Sequence, residues 1–262
     1  MFQTLRRQLL PSLILTVIVA VVVGAIYPLV LYGIGQLGWK HKADGSFITR
    51  DGVTVGAANI GQAFSDKSGN PLTQYFQPRP SATSPTAYDA SASGASNLGP
   101  GDPRLVGFIP GLNAVGLDGS PSKTNPFATS ADPYCVPTDP NGNPVIAPSA
   151  GQKYAKNPDG SYVCDPNTVA ERALAYRRLN NLGPNTPVPV DAVTASGSGL
   201  DPGISIANAD LQADRVAQVR NLPVGTVMSL IKQYTIGRSL GVLGEPTVNV
   251  LELNLALDRL RS

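Results

Sequence analysis

Histidine and cysteine are nearly absent from this 262-residue chain, which has one histidine, His41, and two cysteines, Cys135 and Cys164. A Ser-His-Asp or Cys-His catalytic group would have to be built on His41, and a zinc site would find at most three soft ligands, so the sequence argues against both chemistries. Charge is scarce as well, at 15% of residues with a net of +2. No block of lysine or arginine is interleaved with aromatics, so no nucleic-acid partner is expected.

The longest stretch without charge is the most informative. Residues 9–38 carry no charged side chain and lie between Arg6/Arg7 and Lys40/Lys42. A hydrocarbon core about 30 Å thick needs about 20 apolar helical residues, and 13–32 supply them with only Thr16 as a mildly polar interruption. The run is too long for the apolar core of a signal peptide, and its best small-residue pair, Gly24-Ala25, lies deep inside it. The expectation is an N-terminus at 1–8, a single transmembrane helix at 9–38 kinked at Pro28, and a tethered soluble domain at 39–262. Tyr27, Tyr32 and Trp39 cluster at the far end, as interfacial aromatics do. Flanking charge does not orient the helix, because Arg6 and Arg7 face Lys40, Lys42 and Arg50.

What is abundant is glycine (27) and proline (24), nearly a fifth of the chain, concentrated in the middle. Asp51-Gly52 between two β-prone runs predicts a hairpin starting the soluble domain. Residues 75–83 read as a rigid extended loop and 88–103 as a polar connector. Residues 104–166 read as an irregular Pro/Gly-rich insertion, and a loop of that length needs a tie, which a Cys135–Cys164 disulfide would provide. Order resumes with a capping box, Thr168 with Glu171, opening a helix over 169–180 that Gly183-Pro184 ends. Residues 188–193 read as an edge strand, because Pro189 cannot donate to a ladder. Ser205 caps a helix to about 221, with Ile206, Ala209, Val216 and Val219 as partial core positions. A second helix follows Pro223, with Val227, Leu230, Ile231 and Tyr234 inward. Residues 248–255 alternate and read as a strand, although 255–260 also suits a short helix. The fold class is α+β, with the transmembrane helix preceding a mixed soluble domain and its insertion.

The sharpest local feature is the Ser/Gly loop 194–205. It can be an anion cradle at a helix N-terminus or a tight turn between elements. It is not a Walker loop, since no lysine follows Gly197 or Gly199, nor a nucleophile elbow, since Ser196 stands where the first glycine belongs. An anchored enzyme or ligand-binding module built on Asp191, Ser196, Ser198 and Asp201 is the alternative reading from another class.

Several segments together resemble the C subunit of the Kdp potassium-transporting ATPase. They are 75–83, Ala92-Ser93-Gly94 with Ser96-Asn97-Leu98-Gly99-Pro100, 187–202, Arg215-Val216-Ala217, Leu243-Gly244-Glu245-Pro246 and Val248-Asn249-Val250-Leu251. The resemblance implies a non-catalytic accessory subunit of an ATP-driven potassium importer. Its partners would be a channel-like potassium-conducting subunit, a P-type ATPase subunit, a very small fourth subunit and the lipid bilayer. ATP and potassium would be handled by the complex, with no cofactor held by this chain. The family is also assigned a chaperone-like role in raising the ATPase subunit's ATP affinity, which needs a cytoplasmic domain. A cysteine pair instead suits the outside placement, with the N-terminus cytoplasmic. The resemblance further implies interface or entrance loops at Arg79, Asn97, Ser196, Ser198, Asp201 and Glu245. Asp201 and Glu245 could raise local cation concentration without forming a selective site. Gly203 and Thr247 stand where many relatives have histidine and arginine.

Overall fold

The computed structural model describes residues 2–107, 125, 127–128, 135–146 and 151–260. The chain divides into two compact units, Met1–Asn59 and Ile60–Ser262.

The first unit is dominated by one nearly continuous helix. Helix α1 (Phe2–Val21) passes through a π turn (Val22–Ile26) into α2 (Tyr27–Gly38), and Arg7–Gly38 forms a 32-residue apolar span with mean hydropathy 2.8. At 1.5 Å per residue this span is about 48 Å long, more than a bilayer core requires. The irregularity expected at Pro28 lies one turn earlier. Pro28 has no N–H to offer Gly24, and the helix widens so that Tyr27 N–H reaches the Val22 carbonyl instead. Trp39, with φ −143°, breaks the helix before the short α3 (Lys40–Ala43). The hairpin β1 (Phe47–Arg50) and β2 (Val53–Ala57) belongs to this same unit. Asp51 (φ 51°) and Gly52 (φ 79°) make its turn, the positive-φ pair that their identities demand.

The second unit holds the core. After α4 (Pro103–Val106) and α5 (Val169–Leu179) come α6 (Val190–Val193), β3 (Gly203–Ser205), α7 (Ile206–Arg220), α8 (Val224–Gln233), β4 (Thr235–Ile236), β5 (Thr247–Asn249) and α9 (Val250–Arg259). The strands form one antiparallel sheet in the order β3-β5-β4. Thr168 Oγ1 accepts from Glu171 N at 3.2 Å to open α5, and Ser205 Oγ accepts from Asn208 N at 3.1 Å to open α7. Asn221 ends α7 in the left-handed conformation (φ 54°).

Three expectations are corrected. Residues 190–193 form the helical turn α6 instead of a strand, because Pro189 sits at its N-cap where a missing N–H costs nothing. The strand read over 248–255 stops at Asn249, whose side chain accepts from Glu252 N at 3.1 Å and starts α9. Val250, Leu253, Asn254 and Leu257 then repeat at helical spacing on the buried face, which the alternation of Leu251, Leu253 and Leu255 had obscured. On α7 the buried stripe is Ala209, Ala213, Val216 and Ala217, whereas Ile206 and Val219 are exposed. On α8, Val227 and Ile231 are buried and Leu230 and Tyr234 pack partly against the core.

The core also contains a polar device. The backbone of residues 73–77 is held by side chains instead of a neighbouring strand. Asn254 accepts from Phe76 N at 2.9 Å and donates to Phe76 O at 3.0 Å, and Gln212 does the same to Gln77 at 2.7 and 3.1 Å. Each primary amide thus supplies the donor and acceptor of one ladder rung. Arg215 donates to the Thr73 and Tyr75 carbonyls, and Arg220 donates to Gln74 O at 2.6 Å while pairing with Asp258 at 2.8 Å. Arg215's other partners, Asn180 Oδ1 and Gln212 Oε1, are neutral, and burial pushes its guanidinium down to about 10. All four of these side chains are buried, and together they fix Phe76 in the centre of the core.

The described part of the 104–166 insertion has local order of its own. Asp139 accepts from Asn141 N and Asn143 N and closes a five-residue turn, flanked by the Thr138–Pro144 bridge. The same backbone turn recurs at 157–161, flanked by Lys156–Tyr162, and, with Asp66 in the place of Asp139, at 66–70, flanked by Ser65–Pro71. Phe127, Tyr154 and Tyr162 form a ring trio at 5.1–5.6 Å, and Cys135 and Cys164 are joined by a disulfide with Cα atoms 5.2 Å apart. Replacing both cysteines by serine is expected to cost about 3–4 kcal/mol through loop-closure entropy while leaving α7 to α9 intact. Hydrogen exchange checks this: faster exchange confined to 135–164 is the expected result.

Candidate functional site

Two loops far apart in sequence form a single interlocked block. Residues 79–94 run against 194–201, joined at every level by contacts of different chemistry. Arg79 Nη1 pairs with Asp201 Oδ2 at 3.1 Å, and its Nη2 reaches the Thr194 and Ala195 carbonyls at 3.4 Å. Tyr88 OH lies 2.9 Å from Arg79 O and 3.3 Å from Asp201 O, donating across both strands of chain. Burial, and then the nearby Asp201 charge, raise the Tyr88 phenol above its ordinary value, so it stays a neutral donor. Further along, Ser81 Oγ donates to Gly199 O at 2.7 Å, while Ser93 Oγ and Gly94 N both donate to Ser198 O.

The 194–205 loop is a tight turn of the second kind weighed from its sequence. Ser196 Oγ accepts from Gly199 N at 2.9 Å, Ser198 Oγ from Leu200 N at 3.1 Å, and Asp201 Oδ1 from Gly203 N at 3.0 Å. These side chains brace the loop's own backbone, as Asx and Ser turns do. Gly199 is required twice over. Its φ is 70°, and a Cβ there would lie 2.7 Å from Gly94 O and 2.7 Å from Thr83 Cγ2. Gly61 is required by contact alone, since a Cβ would fall 2.4 Å from the Tyr88 ring and 2.6 Å from Asp201 O.

Asp191 is not gathered with Ser196 and Ser198 into a reacting group. Its carboxylate accepts from Ser205 N and Ser205 Oγ at 2.8 Å and from Asn208 Nδ2 at 3.0 Å, fastening α6 to the start of α7. Among the described residues no group of three or more His, Cys, Asp or Glu side chains could hold a metal.

A hollow of about 300 Å³ beside the interlock brings Arg79, Asp191, Asp201 and Glu245 to one rim. Its carboxylates are largely answered: Asp201 by Arg79, and Glu245 by Arg238 at 2.7 Å. Gly203 and Thr247 line the same hollow, and a Cβ on Gly203 would meet Thr247 Cβ at 3.1 Å. Gly203 and Thr247 are therefore neighbours across the β3–β5 pair. Asn97 is not part of this cluster; it is exposed at a left-handed turn (φ 54°). Tyr88, Ser81 and Gly61 were missed from sequence, because a lone aromatic or serine in a loop carries no periodicity and their partners lie over 110 residues away.

Comparison with known proteins follows this geometry. A family model described as KdpC, K+-transporting ATPase, c chain, matches residues 9–125 and 146–259. A potassium-transporting ATPase KdpC subunit from Mycobacterium tuberculosis (strain H37Rv) is 41% identical over 256 residues, 98% of this chain and 100% of its own. Subunits of the same name from Methylococcus capsulatus and Gemmatimonas aurantiaca are 38% and 39% identical, covering 96% and 98% of this chain and 97% and 94% of theirs. Between its two matched stretches the family model leaves out 126–145, a narrower stretch than the insertion read from sequence, and the stretch that carries Cys135.

Proposed function

This chain belongs to the KdpC family of K+-transporting ATPase c chains, and on that premise we propose that it is an accessory subunit that stabilises the ATPase assembly and shapes the external entrance for potassium. Its partners on this reading are the channel-like potassium-conducting subunit, the P-type ATPase subunit and the very small fourth subunit. The apolar span Arg7–Gly38 fits a single-pass membrane protein, with the N-terminus inside and the remainder outside as the proposed orientation.

The observation that carries the reading is the interlock. Loops held by Arg79, Ser81, Tyr88 and Ser93 against the 194–201 turn are rigid, and rigid loops on a scaffold are contact surfaces. Charge contributes less. Asp201 and Glu245 are each paired with an arginine, so the entrance is shaped by form more than by attraction of cations.

Thiol labelling tests the placement. Both native cysteines are in the disulfide, so Gln218→Cys on the exposed side of α7 introduces a lone reactive thiol. It is expected to react with a membrane-impermeant maleimide in intact cells. Labelling only after lysis would overturn the external placement and restore the chaperone reading.

A further inference from the structure

A second hollow, about 560 Å³ and open along one side, lies between α5 and the chain at 63–71 and 77–88. Its walls are largely carbon, from Phe64, Pro71, Pro80, Ala175 and Leu179. Among the described residues no carboxylate lines it, but three guanidiniums do: Arg79, Arg172 and Arg178.

The charge of these arginines is unevenly answered. Arg79 is paired with Asp201 through Nη1, yet its Nε is buried with no hydrogen-bond partner. Arg172 donates to Val193 O at 3.1 Å and Asn167 Oδ1 at 3.4 Å, both neutral oxygens, and only the nearby Asp165 charge partly answers it. Arg178 is exposed, and its side chain has no partner among the described residues. A carbon-walled groove with cationic groups in excess is complementary to a segment carrying carboxylates on an otherwise apolar stretch, the pattern of acidic-motif recognition by arginine clusters.

We propose that this groove is the docking site for an extended acidic segment of another subunit of the same ATPase. The proposal deepens the assembly reading above and rests on it. Charge complementarity selects the occupant. Leu179 and the proline rings give the segment's apolar part a surface to pack on, while Arg178 and Arg172 take its carboxylates, which an arginine fork can meet through two parallel hydrogen bonds.

Photo-cross-linking in the assembled complex tests it. p-Benzoylphenylalanine replaces Ala175, which is exposed, or Leu179 as a second probe position, and the complex is purified and irradiated. The expected adduct maps to a partner-subunit peptide containing Asp or Glu. Arg178→Glu is expected to cut its yield about fivefold, with Arg178→Lys retaining most of it. Adducts to lipid alone, to a peptide without carboxylates, or none in an intact complex would each overturn the proposal. Co-purification of the unsubstituted chain with its partners is read separately, so failure of the assembly reading is distinguished from failure of the groove.

Discussion

Asn254→Leu is expected to destabilise the protein by about 3–5 kcal/mol, far beyond what its near-equal volume suggests. The side chain is 1% exposed, and its amide satisfies both Phe76 N–H and Phe76 C=O. Leucine fills the space but leaves two buried backbone groups unpaired, each costing about 1–3 kcal/mol because water cannot reach them. The segment held at that point carries Phe76, which is fully buried at the centre of the core, so the loss spreads to the packing. Urea unfolding of the full chain measures it as a lower midpoint. A loss under about 1 kcal/mol would mean that the side-chain rungs contribute no more than ordinary surface hydrogen bonds.

Gly199→Val is expected to lower recovery of the assembled ATPase about tenfold or more, with a proportional loss of potassium-stimulated ATP hydrolysis. A β-branched residue at φ 70° is strained, and its Cβ would fall within 2.7 Å of Gly94 O and Thr83 Cγ2. Neither neighbour is the free end of a flexible side chain, so the loops must separate, breaking the contacts of Ser81 and Ser93. Ser229→Ala is the control. Ser229 is exposed on α8 and its hydroxyl donates to Gly225 O of the same helix, so its loss is expected to leave assembly unchanged. Wild-type recovery of the Gly199→Val complex would show that the interlock has no part in partner contact.

Local chemistry was legible in the sequence wherever one short stretch determined the outcome. Asp51-Gly52 specified the hairpin turn, Thr168 and Ser205 specified two helix starts, and the uncharged run specified the apolar span. The errors fall where tertiary demands outweighed local pattern. Residues 250–255 alternate like a strand, but the Asn249 cap and the burial of Val250, Leu253 and Leu257 make them helical. Val219 has the spacing of a core residue, yet α7 presents its alanines inward because α8 packs close. At the site, Arg79 and Asp201 were named individually, whereas their pairing across 122 residues and the phenol of Tyr88 between them had no local signal. Asn254 was invisible for a related reason: an asparagine among leucines reads as the polar face of a strand, and only its partner 178 residues earlier gives it meaning.

The rungs that Asn254, Gln212 and Arg215 supply to residues 73–77 impose an order on synthesis. Those contacts join positions 135–178 residues apart, so α9 must leave the ribosome before Phe76 can be fixed. The disulfide at a separation of 29 residues can close long before that. Until α9 emerges, the Phe76 backbone lacks the Asn254 amide that pairs both its polar groups, in a nascent chain already held by its apolar span, a state that attracts chaperones and proteases. Helix α9 therefore acts as the closing stitch of the second unit. A ribosome stalled before residue 250 leaves an anchored chain that quality control can recognise as unfinished.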